Sequence, residues 1–309
     1  MPENKLLKSI DVERNKQGAW STFDILILLP FVYIMISVPI QYVLRVFNYY
    51  IITNYTLETL KYSAINLILH FGILIMAVSI TTYIAEKRPF LSLGLNGHHR
   101  LRKYIFGFYI GFMLMTIITF LIVFLGGGKV DPSFLEVSGV KAFPTIVIML
   151  VGWIVQGAAE EIFARGFILP KLACRFNIPI AIALSASTFA LIHLFNEGPN
   201  LIPLMNLVLF GIFASLYALY EGGIVGICAL HSSWNFFQGN VYGFIVSGQA
   251  PKGGSLVGII VSDKTMINGG SFGPEGGLIV TGILMIACLW FTYLLYRKEK
   301  LGIKKNLML

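Results

Sequence analysis

Long apolar runs broken by short polar connections set the pattern of this chain. Crossing about 30 Å of hydrocarbon takes roughly 20 helical residues. By that measure the sequence predicts about eight spans, with edges near 23–47, 60–85, 104–126, 143–170, 179–196, 200–220, 223–246 and 277–296. Two connections are longer than the rest. The stretch 86–103, with Pro89, Gly94 and Gly97, reads as a short amphipathic surface segment in which His98 and His99 are solvated. The stretch 247–276 is glycine-rich, and its β-like run at 256–261 followed by Asn268-Gly269-Gly270 predicts a small hairpin over the outer mouth. Gly107 with Gly111, and Gly222 with Gly226, have the spacing that lets membrane helices approach closely, here within one chain.

The predicted class is therefore all-α: a polytopic membrane protein with its site among the fourth to seventh spans. It divides into residues 1–142 with the first three spans, 143–246 with the site-bearing core, and 247–309 with the external loop, the last span and a basic tail. Composition agrees, since 56% of the 309 residues are hydrophobic and only 12% charged, far from the soluble balance.

The net charge of +8 would suggest nucleic acid for a soluble chain, but here its placement follows topology, and no nucleic-acid partner is expected. Lys5, Lys8, Arg14 and Lys16 precede the first span; Lys87, Arg88, Arg100, Arg102 and Lys103 lie between the second and third; Lys171 and Arg175 follow the fourth; Arg297, Lys298, Lys300, Lys304 and Lys305 form the tail. The alternate connections carry only Arg45, Lys61, Lys129, Lys141, Lys252 and Lys264. The positive-inside bias thus puts both termini in the cytoplasm, and a bacterial plasma membrane is the expected location. The first apolar run is too long for a signal-peptide core and has no small-residue cleavage pattern, so it is read as a retained span. Cys174, Cys228 and Cys288 have no CxxC spacing and read as packing residues.

A charged side chain at mid-bilayer costs at least about 2.5–3.5 kcal/mol, so ionisable residues within spans are functional candidates. The fourth span carries Gln156, Glu160, Glu161 and Arg165; the fifth ends with Phe189 and His193; the seventh holds His231 and Asn235. Glu161 and Arg165 are four apart and can pair on the helix surface, which turns Glu160 about 100° away toward a cavity. A ruler of about 1.5 Å per residue from the facing turns puts Glu160 about 24 Å deep, His193 about 22 Å, Asn235 about 19 Å and His231 about 13 Å. With tilt and a kink at Pro170 these groups can share one depth. Asn66, His70, Asn206 and Asn240 read as interhelical hydrogen-bonding residues.

Three runs carry a resemblance: Glu160-Glu161-Ile162-Phe163-Ala164-Arg165-Gly166, then Phe189-Ala190-Leu191-Ile192-His193, then His231-Ser232-Ser233-Trp234-Asn235. In order and placement they resemble the motifs of the CAAX protease and bacteriocin-processing (Abi) family, which includes the type II CAAX prenyl endopeptidases. The resemblance implies an eight-helix intramembrane protease. In it Glu160 activates water, His193 and Asn235 stabilise the oxyanion, and His231 completes the set. Glu161, Arg165 and Phe189 would support them.

Peptide hydrolysis needs a base and donors aimed at the developing oxyanion, and these residue types supply both. The preferred mechanism uses no metal or other cofactor. A zinc ion held by Glu160, His193 and His231 is the alternative. The expected partners are membrane lipids and a peptide or lipidated protein substrate. A non-proteolytic scaffold or bacteriocin-immunity protein is the competing function. A proton-coupled transporter would also use buried carboxylates and histidines, but the sequence carries no inverted repeat or paired broken helices.

Overall fold

A computed structural model describes residues 58–131, 138–198, 200–250 and 253–306, together with Leu6 and short helical pieces at 33–35 and 37–39. The rest of the expected first span, and the lysines and arginine that precede it, lie outside the described residues.

The fold is an all-α polytopic membrane bundle. Its helices are α1 (Glu58–Glu86), α2 (Arg100–Phe124), α3 (Phe143–Glu161), α4 (Leu169–Arg175), α5 (Ile178–Ile192), α6 (Leu201–Glu221), α7 (Val225–Phe236) and α8 (Leu278–Asn306). A π-turn, Ile162–Ile168, joins α3 to α4 into one continuous path, and a second π-turn, Phe237–Val241, extends α7. Among the described residues, five helical stretches are long and apolar enough to cross a membrane: Ala64–Glu86, Arg100–Phe124, Gly139–Arg175, Leu201–Glu221 and Leu278–Lys298. The remaining two, α5 and the α7 path, are shorter than the spans predicted for them. The α7 path sits inside the bundle against α2 and α3, whereas α5 packs one face on α6 and leaves Ile180, Leu184 and Leu191 exposed.

Small residues bring the helices together. A side chain at Gly107 would strike the Gly226 backbone, one at Gly111 the Leu230 carbonyl, and one at Gly157 the Ser232 amide and hydroxyl. The close approach of α2 to α7 and of α3 to α7 therefore depends on glycine. Gly222 has a different use from the one its spacing suggested. It is the left-handed residue (φ 73°) closing α6, with open space around it, the usual place for glycine after a helix.

The basic connections gather at one end of the bundle. Lys171 pairs with Glu86, Lys103 with Glu221 at 3.5 Å, and Lys298 Nζ donates to the Tyr220 carbonyl at 2.8 Å. The 86–103 stretch departs from its prediction as an amphipathic surface segment. Leu93 is fully buried, and the Gly94 carbonyl accepts the Ile224 amide at 2.9 Å, docking this loop onto the start of α7.

At the other end, β1 (Gly128–Val130) pairs antiparallel with β2 (Ile259–Val261). The predicted local hairpin is thus replaced by a ribbon between two distant connections, with Asn268 Nδ2 tying it to the Gly127 and Ser262 carbonyls. Phe244 and Phe272 bury their rings beneath it.

Candidate active site

Each helix that brings a residue to the site loses its regular winding within about one turn of that residue. The α3 path becomes a π-turn immediately after Glu160 and Glu161, α5 gives way at His193 to a short 3₁₀ turn, and α7 widens two residues after Asn235. Pro170 has no amide hydrogen to offer the turn before it. The π-turn rearranges those bonds, so that the Ala164 carbonyl accepts both the Leu169 amide and the Ser185 hydroxyl, the latter at 2.9 Å. Such bulges are frequent where a helix must aim side chains at a site.

The adjacent glutamates have different surroundings. Glu161 is fully buried, and its Oε1 accepts Arg165 Nη1 at 2.9 Å and His231 Nδ1 at 2.8 Å. Arg165 also donates to the Gly211 carbonyl at 3.2 Å and lies 4.6 Å from the Phe189 ring centre. These contacts tie α3, α5, α6 and α7 together. Glu160 Oε1 accepts Gln156 Nε2 at 2.5 Å. Its Oε2 is buried with no hydrogen-bond partner, and it faces His193 Nε2 at 3.9 Å and His231 Nε2 at 3.8 Å.

The histidine tautomers follow from what holds the rings. His193 Nδ1 lies 2.8 Å from the Phe189 carbonyl, which can only accept, so Nδ1 carries the hydrogen. His231 Nδ1 likewise donates to the Glu161 carboxylate. In the neutral rings both Nε2 atoms therefore turn a lone pair toward Glu160 Oε2. Phe189 packs 4.8 Å from the His193 ring and Phe210 4.9 Å from the His231 ring, fixing both imidazoles from the sides.

Asn235 reaches Glu160 through Gln156. Its Nδ2 donates to Gln156 Oε1 at 2.8 Å, making a relay from Asn235 through Gln156 to Glu160. The amide has a second hydrogen, and its Oδ1 is buried without a partner. The cavity lined by Gln156, His193 and His231 holds about 20 Å³, room for about one water and no peptide.

Residues 142–237 match the family described as type II CAAX prenyl endopeptidase Rce1-like. The match makes this segment, about a third of the chain, similar to that family. The Rce1-like segment runs from the start of α3 to the end of α7 and contains Glu160, His193, His231 and Asn235. The family implies a protease acting on membrane-associated peptide or prenylated protein. No curated protein and no solved structure matches the chain.

Outside the Rce1-like segment, the far end of the cavity is closed by Ser247 and Glu275, which sequence reasoning passed over. Glu275 Oε2 accepts the Ser247 amide at 2.6 Å and its hydroxyl at 2.7 Å, and Oε1 accepts Trp234 Nε1 at 3.3 Å. Asn206, expected only to bond between helices, donates to the Glu275 and Gly277 carbonyls at 2.7 and 3.0 Å and also lines this cavity. Glu275 lies in a connection, where an acidic residue gives no warning, two residues before the last apolar run. Asn240 does bond as expected, accepting from Trp153 Nε1 at 2.6 Å.

Proposed function

We propose that the chain is an intramembrane endopeptidase that hydrolyses a peptide bond of a membrane-associated or CAAX-like substrate with a water activated by Glu160. The observation that carries this reading is the Glu160 Oε2 atom, buried, unbonded, and faced by two imidazole nitrogens at 3.8 and 3.9 Å. A water about 2.8 Å from each can give one hydrogen to the carboxylate and the other to an imidazole lone pair. Its own lone pair then faces outward.

When that oxygen attacks the substrate carbonyl carbon, its proton passes to Glu160 and the carbonyl oxygen becomes an oxyanion. The free hydrogen of the Asn235 amide stabilises it, while a neutral imidazole keeps its hydrogen bond from the attacking hydroxyl. Collapse breaks the C–N bond as Glu160 returns the proton to the leaving nitrogen. Glu161 holds His231 in the tautomer this requires, and Arg165 holds Glu161. The closed cavity admits water alone, so substrate enters by parting the walls. We place the basic end of the bundle in the cytoplasm, from the positive-inside bias.

A second reading has a specific observation behind it. Two imidazole nitrogens and a carboxylate oxygen converge, and both rings are anchored through Nδ1 in the manner of metal-bound histidines. Ligands about 2.0–2.1 Å from a tetrahedral zinc lie about 3.4 Å apart and groups about 2.8 Å from one tetrahedral water about 4.6 Å apart, so separations of 3.8 and 3.9 Å fall between the two.

Purified protein in liposomes, given a quenched fluorescent peptide ending in a farnesylated CAAX sequence, tests both readings. The glutamate mechanism predicts cleavage that survives 1,10-phenanthroline. Loss of cleavage with the chelator and its return with added zinc would establish the metal mechanism.

A further inference from the structure

A second cavity lies between α2, α6 and α8 and shares no lining residue with the active-site cavity. It holds about 620 Å³, well within the usual range of about 300–1,000 Å³ for ligand pockets. Phe106, Ile110 and Leu114 line it from α2, Phe213 from α6, and Ile286 and Trp290 from α8. Its polar groups are confined to one end, where Lys103 and Glu221 lie beside Tyr217 and Tyr220.

The groove has the depth of one leaflet. Along α8 its lining runs from Ile283 to Leu294 and along α2 from Lys103 to Ile117, about 16 and 21 Å by helical rise. Half of a hydrocarbon core is about 15 Å.

The charged end is electropositive. Lys103 reaches Glu221 Oε1 at 3.5 Å and its carbonyl at 3.4 Å, while Lys298 donates to the Tyr220 carbonyl at 2.8 Å. The two lysines are close enough for their charges to act on one another. The Glu221 carboxylate, whose other oxygen accepts the Gly226 amide at 3.0 Å, pairs with Lys103 alone of the two, and Lys298 sits just beyond the groove's lining on the same end. Each ammonium has three donors, which leaves hydrogens for a further acceptor.

We propose that this groove binds an anionic phospholipid, with an acyl chain along Phe106, Ile110 and Ile286 and the phosphate at Lys103 and Lys298. The site holds the α2, α6 and α8 side of the bundle together from within the leaflet at the basic end. It is independent of the catalytic reading, since its residues and those of the active-site cavity are separate.

Native mass spectrometry of the purified full chain, released from detergent after equilibration with equal dioleoyl phosphatidylglycerol and dioleoyl phosphatidylcholine, tests it. Phosphatidylglycerol adducts are expected to exceed phosphatidylcholine adducts, and Lys298→Gln to cut them about fivefold, the loss of one cation at a lipid headgroup. Ala287→Trp, which fills the groove, removes both adducts. Equal retention of the two lipids, or phosphatidylglycerol retention unchanged by Lys298→Gln, would overturn the proposal. Displacement of phosphatidylglycerol by farnesyl-cysteine methyl ester at equal concentration would also overturn it, by showing a prenyl-chain site.

Discussion

At the basic end of the bundle, Glu86 is held by two cations at once. Lys171 pairs with it, and Arg88 Nε donates to Oε2 at 2.8 Å. Midway along the α3–α4 path, Glu160 is as well buried as Glu86, yet one of its oxygens meets only imidazole nitrogens almost 4 Å away. Both regions contain carboxylates inside an apolar bundle, and both involve a neighbouring cation. In the first, charge is cancelled by direct contact. In the second, Arg165 pairs with Glu161, and Glu160 Oε2 is left with no hydrogen-bond partner. Burial of a carboxylate therefore does not by itself make the two clusters alike: one is met by cations in direct contact, the other by imidazole nitrogens held back from it.

The sharpest test of that contrast is Glu160→Gln. It keeps the shape and a hydrogen-bonding group but removes the base, and should lower peptide hydrolysis by about 10²–10⁴-fold, with thermal melting in detergent unchanged. The mirror-image variant is Glu86→Gln, which leaves Lys171 and Arg88 short of a carboxylate. Breaking a buried pair from one side costs about 3–5 kcal/mol, so melting should fall markedly while kcat of the folded fraction stays at the wild-type value. If Glu86→Gln abolished turnover in protein that remained folded, the distinction between the two clusters would be lost.

Smaller effects are expected where packing positions the cluster. Gly157→Val pushes α3 from α7 at Ser232 and should cost about 1–3 kcal/mol as overpacking. It should also weaken hydrolysis in the folded protein, because Glu160 and His231 are carried by the separated helices. Smallest is Glu275→Gln, which weakens the tie between Ser247 and Trp234 at the cavity's far wall. The expected cost is about 1 kcal/mol, read as a small drop in melting, with KM altered more than kcat because the wall opens more readily.

Much of this was legible in the sequence, for reasons that differ by element. Seven predicted spans correspond to described helical paths because apolar length is a strong signal in a bilayer. The choice of Glu161 as Arg165's partner followed from four-residue spacing, and the similar depth of Glu160 and His193 from helical rise, whereas the same ruler placed His231, which meets Glu160 at 3.8 Å, about 11 Å too shallow. The π-turns did not appear, since Pro170 announces a disturbance but not which bonds replace the missing one. The pairing of Gly128–Val130 with Ile259–Val261 escaped because contact between two distant connections has no periodicity to betray it. Glu275 escaped for the same reason, and Gln156, though noted as polar, gave no sign that it would stand between Asn235 and Glu160.

The account's central claim is that Glu160 directs a water onto a peptide bond. The most direct measurement compares peptide termini in membranes and medium of cells carrying wild type, Glu160→Gln at matched abundance, or no protein. The account predicts new termini with wild type alone. Identical termini in all three, together with a cellular phenotype that Glu160→Gln rescues as well as wild type, would contradict it and leave the chain a non-proteolytic membrane scaffold.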